Sequence, residues 1–294
     1  MAGDLLFGRK VRVTIATQVS ESFTEIGIDV IEIEDLRVAF KVSKSDQKEP
    51  NTAEVTVTNL SETRRRSLQQ RGVKFALQAG YSGSGIGQIF IGDVRTCEHK
   101  KDGASWHTIL KCGDGERAFN HARVNESFAA GSPVSEVVKR IGLKSGLGIG
   151  NLTKQASALT GQYVNGYAAL GPVSRELDKV LAGTGFEWSV QDGELLLLKP
   201  DEASGATVPD IGPDTGLIGS PEYGSPKSVS KQAKRTGKPM LKIRCLLNPA
   251  IKIGCQVSLR SERHNGPIRV KKLDHIGDTG GGDWYTDFEG VPIG

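Results

Sequence analysis

"VKKLDHIGDTGGGDWYTDFEG", Val270 to Gly290, admits two readings. Asp278-Thr279-Gly280 is the triplet that carries the catalytic aspartate of aspartic proteases. Its flanks, however, alternate as strands do. Trp284, Thr286 and Phe288 share one face and Tyr285, Asp287 and Glu289 the other, the period of two expected of a half-buried strand. Upstream, "GPIRVKKLDHIGD" forms a second strand whose phase breaks at Lys271-Lys272, which predicts a β-bulge. The "GDTGGGD" between them is rich in residues that accept positive φ, so the whole stretch predicts a hairpin.

The same hairpin occurs earlier in the chain. "VRTCEHKKDGASWHTILKC" (Val94–Cys112) lies on it with Val94 on Val270, Arg95 on Lys271, Glu98 on Asp274, His99 on His275 and Asp102 on Asp278. After two extra turn residues, Trp106 falls on Trp284, Thr108 on Thr286 and Leu110 on Phe288. The chain has only three tryptophans, and two of them coincide. Further upstream "AEVTVTNL" compares with "LKIRCLLNP", each strand ending at an asparagine, Asn59 or Asn248. A strand follows each, "VKFALQAGY" or "CQVSLRS", and the first copy adds the helix "SETRRRSLQQ" with Ser61 as N-cap. Internal repetition thus predicts two related antiparallel β units, near residues 30–115 and 215–294.

The repeat weighs on the triplet. Where the second copy has Asp278-Thr-Gly, the first has Asp102-Gly103-Ala104 in a plain turn. Aspartic proteases also need two carboxylates sharing a proton, an apolar approach strand and a small Ser or Ala after the glycine. Here the approach is His275-Ile276-Gly277 and the follower is Gly281. The turn is the expected reading.

Length and composition agree with a two-unit β chain. The 294 residues accommodate about two domains of ~100–200 residues, 37% hydrophobic content is ordinary for a globular protein, and the 37 glycines follow no three-residue period. No run of ~18 apolar residues predicts a membrane span, and the N-terminus lacks the pattern of a secretory signal. The cysteines, Cys97, Cys112, Cys245 and Cys255, show no C-x-x-C spacing, so buried free thiols are expected, with no zinc site and no redox motif. A net charge of +4 neither requires nor excludes an anionic partner.

Between the β units the texture changes. "SPVSEVVKRIGLKSG" predicts a helix with Ser132 as cap and Val134, Val137, Val138 and Ile141 as its apolar face. "GPVSRELDKVLAGTG" repeats the recipe through Val173, Leu177, Val180 and Leu181, closed by Gly183. A hairpin follows, "FEWSV", "QDGE" and "LLLLKP". The chain is therefore expected to be mainly β: a first β domain (1–115), a small α+β insert (116–205) and a second β domain (206–294). "DEASGATVPDIGPDTG" is expected as a connection, and "GSPKSVSKQAKRTGKP" (Gly224–Pro239) as a mobile basic loop.

No catalytic constellation emerges. "GYSGSGIG" (Gly80–Gly87) lacks the Lys-Ser/Thr of a P-loop and precedes a strand, so a hairpin tip is expected. Arg64, Arg65 and Arg66 cannot all face one groove, consecutive helical residues lying ~100° apart. The five histidines have no H-x-x-x-H spacing, no serine stands in G-x-S-x-G context, and neither metal nor cofactor is expected.

Several linked motifs carry a family resemblance. "KFALQAGYSGSGIGQIFIGDV" resembles the first domain of baseplate hub and tail-tip proteins of tailed bacteriophages. The closing domain of that family is similar in its Gly-Leu-Ile-Gly-x-Pro opening (Gly216–Pro221) and its Leu-Leu-Asn-Pro corner, which holds Asn248 and Pro249. Gly254 before the next strand and a His-x-Gly-Asp hairpin (His275, Gly277, Asp278) complete the set. The resemblance implies two tail-tube-like antiparallel β-barrels in each chain and a homotrimer whose six barrels form a pseudo-sixfold ring. That ring would cap a hexameric tail tube, hold a central spike or tip protein and meet other baseplate proteins. Its channel would house the end of the tape-measure protein and later pass phage DNA. A virion protein assembled in the host cytoplasm, without enzymatic activity, is implied. The rival readings are a receptor- or carbohydrate-binding tail module, which would set aromatics on exposed loops, and a dimeric protease built on Asp278. Against the first, Trp106, Trp188 and Trp284 are all expected to be core residues of alternating strands.

Overall fold

The computed structural model describes residues 7–20, 26–69, 73–115, 121–199, 202–203, 207–224 and 240–293. Most of the expected basic loop, 225–239, lies outside them. The chain divides into two compact units. The first comprises Met1–Ser45, Thr52–Gly113 and Ala203–Gly294, and the second Asp46–Asn51 and Asp114–Glu202. Both expected β repeats therefore lie in one unit, sharing one 13-stranded sheet.

Seven strands belong to the first repeat: β1 (Arg9–Ser20), β2 (Ile26–Ile33), β3 (Val38–Ser45), β4 (Thr52–Thr58), β5 (Lys74–Tyr81), β6 (Gly85–Asp102) and β7 (Ser105–Gly113). They pair antiparallel in the order β2-β1-β5-β6-β7-β4-β3. Alternation builds them: in β4, Ala53, Val55 and Val57 turn inward while Thr52 and Glu54 face out. Between β4 and β5 runs helix α1 (Glu62–Ser67), capped by Ser61 as expected, whose side chain accepts the Arg64 N–H. "GYSGSGIG" is the β5–β6 turn and its flanks, also as expected.

Among the described residues the second repeat has six strands: β14 (Thr207–Ile211), β15 (Leu217–Tyr223), β16 (Leu241–Leu246), β17 (Gln256–Arg260), β18 (Asn265–Asp278) and β19 (Trp284–Pro292). Their order, β15-β16-β19-β18-β17-β14, reproduces β3-β4-β7-β6-β5-β1 position for position. The expected bulge is present and duplicated. The β6–β7 ladder slips between Val94 and Thr96, and the β18–β19 ladder between Val270 and Lys272, so Arg95 and Lys271 are the extra residues. Two expectations change. Part of the "connection" before Gly216 is strand β14, which runs parallel to β17 where β1 runs antiparallel to β5. The repeat therefore begins earlier in each half than the alternation around residues 30 and 215 suggested. The second correction concerns the asparagines. Asn59 N–H bonds the carbonyl of Trp106, and Leu247 N–H that of Trp284, so Leu247 occupies the place of Asn59 and Asn248 stands one residue further on.

The second unit pairs β8 (Arg123–Phe128) with β11 (Tyr167–Pro172), and β9 (Ser132–Pro133) with β10 (Gln162–Tyr163). Helices α2 (Val134–Leu143), α3 (Leu152–Ala156) and α4 (Val173–Leu181) pack Val137, Val138, Ile141, Leu177 and Val180 into one core, and Val134 is half-buried beside it. Ser132 does not cap α2. The N-cap is Pro133, which makes no side-chain cap bond, and Ser132 and Pro133 are instead the short strand β9. The hairpin of β12 (Glu187–Gln191) and β13 (Glu194–Leu198) turns at Asp192-Gly193, both with positive φ, and buries Trp188. No helix among the described residues is long and apolar enough to cross a membrane.

Candidate functional site

The two repeats meet along a single strand edge. Along one edge β18 pairs with β19; along the other it pairs first with β17 (Asn265–Arg269) and then, from Lys272 to Asp278, with β3 of the first repeat. The register sets His275 against Val42, Ile276 against Lys41 and Gly277 against Phe40. Side chains complete the seam. Trp284 is buried, with Phe40 edge-on at a centroid distance of 5.6 Å, Tyr81 at 6.3 Å and the Arg9 guanidinium 5.5 Å from its ring. Gly277 is obligatory there: a Cβ would lie 2.5 Å from Phe40 Cζ and 2.7 Å from Trp284 Cε3. The Leu-Leu-Asn-Pro corner docks as well. Leu247 joins the core of the first repeat, and Pro249 packs so closely that a Cβ on Gly87 would meet it at 2.8 Å.

Two arginines of the first repeat clamp the hairpin tip. Arg9 donates to the carbonyls of Asp278 and Gly282, each at 2.8 Å, and Arg37 makes a forked contact with the Asp278 carboxylate at 3.1 and 2.7 Å. The same carboxylate accepts the Gly280 N–H at 2.7 Å. The Arg37 hydrogen bond holds the Asp278 carboxyl below the usual carboxylate range, partly opposed by burial. An aspartate ionised against a guanidinium and closing its own turn is not half of a proton-sharing dyad. Asp278→Asn should keep the turn acceptor and lose the ion pair, lowering stability by at most about 1 kcal/mol in thermal denaturation; a loss of several kcal/mol would contradict this account.

His275 belongs to the seam interior. Thr286 Oγ1 accepts the Asn248 N–H at 3.1 Å and is hydrogen-bonded to His275 Nδ1, 2.9 Å away. Burial, with a smaller repulsion from Lys44, pushes the imidazolium down to about 3. The folded chain thus keeps this ring neutral while the unfolded chain protonates it near ~6.5. Stability is complete above that pH and falls between ~6.5 and 3, by at most ~1.4 kcal/mol per pH unit from this group. Denaturant midpoints measured across that window should decline less steeply in His275→Asn than in the parent.

The other motif residues are turn and bulge positions of the second repeat. Gly216 has φ +104°, and its carbonyl accepts the Leu246 N–H at 2.7 Å, tying β15 to the corner. Gly254, φ +79°, donates to the carbonyl of Val270, and Pro221 is buried inside a bulge of β15. The cysteines are free. Burial pushes the Cys97 thiol up to about 11 and those of Cys112 and Cys245 to about 12, which makes them poor nucleophiles.

Trp106 departs from its expected place. It is 36% exposed where its twin Trp284 is 5% exposed, its ring covered by the Arg65 guanidinium at 4.0 Å. The internal chemistry of the two hairpins is otherwise alike: His99 contacts Thr108 at 3.2 Å, as His275 does Thr286, and its second nitrogen donates to the Arg65 carbonyl. What differs is the cover. Sequence reasoning missed Arg9, Arg37, Phe40 and Tyr81, whose role depends on pairing across more than two hundred residues. One signal was available: a strand glycine, Gly277, where the first copy has Lys101, marks a close approach.

The fold is similar to that of the tail protein from Neisseria meningitidis MC58, at a TM-score of 0.60 and 10% identity over 97% of each chain. It is equally similar to the 43 kDa tail protein of prophage MuSo2 from Shewanella oneidensis, at 0.60 and 9% over 97% of each. An E. coli component of the type VI secretion system, described as structurally similar to the T4 bacteriophage tail proteins gp27 and gp5, matches at 0.53 and 9%, over 88% of this chain and 74% of that one. No family model matches the chain, and no curated protein matches it in sequence. At these identities the likeness is one of fold: this chain has the architecture of phage tail proteins.

Proposed function

We propose that the chain is a structural hub of a phage tail or a tail-derived injection machine. Three copies would form a ring of six repeats, each a tube-like barrel domain completed within the assembly. One face of the ring would receive a hexameric tail tube and the other a central spike or tip protein, beside other baseplate proteins. The channel would hold the end of the tape-measure protein and pass DNA. The protein would then be a virion component, assembled in the host cytoplasm. The observation that carries this reading is the duplicated strand order with its single internal seam. A chain holding two equivalent subunits in series is what a threefold object needs in order to meet a sixfold one, and the likeness to tail proteins supports the setting. As parts of the assembly we retain the three segments 1–115, 116–205 and 206–294, the first and last as tube-like domains and the middle as an insert.

A receptor- or carbohydrate-binding module would present aromatics on loops. Trp106 and Tyr223 are exposed, but both lie in strands rather than loops, Tyr223 on β15 at the end of the strand order, which favours assembly. Light scattering of the purified protein, alone and with the spike protein of the same tail, tests the proposal. Three times the 31.5 kDa chain mass is expected. A stable dimer, or a monomer under every condition, would overturn it.

A further inference from the structure

The internal seam has an empty counterpart. On β18 the edge beside β17 continues into β3; on β6 the equivalent edge pairs with β5 only as far as Asp93, and from Thr96 to Asp102 no strand of the described residues pairs with it. At one end of the strand order β15, the equivalent of β3, pairs among the described residues with β16 alone. The chain thus carries both halves of a second seam, one on the open stretch of β6 inside the strand order and one on β15 at its end. We infer that β6 of one copy pairs antiparallel with β15 of the next, in the register of the β18–β3 seam. This inference rests on the ring reading and specifies its contact between copies.

The ladders fix that register. Through its partners on β7 and β19, His99 corresponds to His275, Lys100 to Ile276 and Lys101 to Gly277. Through β4 and β16, Lys41 corresponds to Glu222 and Val42 to Tyr223. Since Ile276 faces Lys41 and His275 faces Val42, the new seam sets Lys100 opposite Glu222 and His99 opposite Tyr223. Lys100, which lies 3.5 Å from Glu98 on its own strand, there meets an opposite charge across the strands where the internal seam has an isoleucine against a lysine, a favourable cross-strand pair.

Two independent observations agree. Val42 is fully buried in the seam while its counterpart Tyr223 is 51% exposed, and Ile218 on the same strand is also exposed. Sizes are exchanged as well: the internal seam pairs large Phe40 with Gly277, and the vacant one offers Lys101 to the smaller Pro221, the inward residue of the β15 bulge. Such an interface is heterologous and closes into a ring only when the rotation per step allows it.

The test mixes chains carrying Lys100→Cys with chains carrying Glu222→Cys under mild oxidation. Directly opposed strand residues stand ~4.5–5.5 Å apart at Cα, within disulfide reach. A disulfide-linked dimer should form in the mixture and be absent from either variant alone. Charge reversal is the second arm. Lys100→Glu and Glu222→Lys should each weaken self-association by about tenfold, and together restore it. A trimer by light scattering with neither cross-link nor rescue would overturn this register and leave the ring reading standing. A monomer at every concentration would overturn both.

Discussion

Trp284→Ala should cost about 3–5 kcal/mol of unfolding free energy, whereas Trp106→Ala should cost the isolated chain only about 1 kcal/mol. The two residues hold the same place in the two hairpins, so intrinsic strand preference cancels and only the surroundings differ. Removing Trp284 empties a site walled by Phe40, Tyr81 and Arg9, on a sheet too well paired to collapse into the void. Removing Trp106 forfeits a partly exposed ring and its stacking under Arg65. The ranking should change on self-association. If a neighbouring copy covers Trp106, the alanine variant should melt like the parent when dilute and lose the parent's concentration-dependent gain in melting temperature. Equal losses in both dilute variants would show that the difference in cover has no energetic meaning.

Asp114→Ala should destabilise the second unit by about 2–4 kcal/mol. This carboxylate is 1% exposed and accepts the Asp192 N–H at 2.6 Å and the Gly193 N–H at 2.9 Å, fixing the β12–β13 turn. Asn51 approaches it at 3.4 Å and donates also to the Val190 carbonyl and Gln191 Oε1. Alanine leaves the turn amides without that acceptor; Asp114→Asn keeps one acceptor oxygen and should cost about half as much. Hydrogen exchange should show the loss in β12 and β13 while the 13-stranded sheet keeps its protection. Uniform loss over both units would contradict a role confined to the second.

The sequence made visible whatever repeats locally. The bulge at Lys271, the turn at Asp278 and the helix faces around Val137 and Leu177 all follow from periods of two or 3.6 within twenty residues. Relations that cross the chain stayed hidden. Asn59 and Asn248 both follow a strand, and only the hydrogen-bond ladder reveals that they are one residue out of step. Alternation marked Trp106 and Trp284 as equivalent and could not say which one another element covers. Ser132 had the chemistry of a cap, yet the pairing of β9 with β10 claimed its position. Asp114 was silent because a buried carboxylate that serves two turn amides looks, in sequence, like any loop aspartate.

Synthesis order puts the seam under a further demand. Ser43 bonds Asp274 across 231 residues, so β3 is made long before the strand that covers it. At ~5–20 residues per second, the open edge of β3 would wait on the order of 10–50 s on the ribosome. Throughout that interval the first repeat presents an unpaired strand to other nascent chains of the same kind, whose own β18 would fit it equally well. Neighbouring ribosomes on one message could therefore exchange strands in trans, and shielding by a chaperone would matter most before β18 emerges.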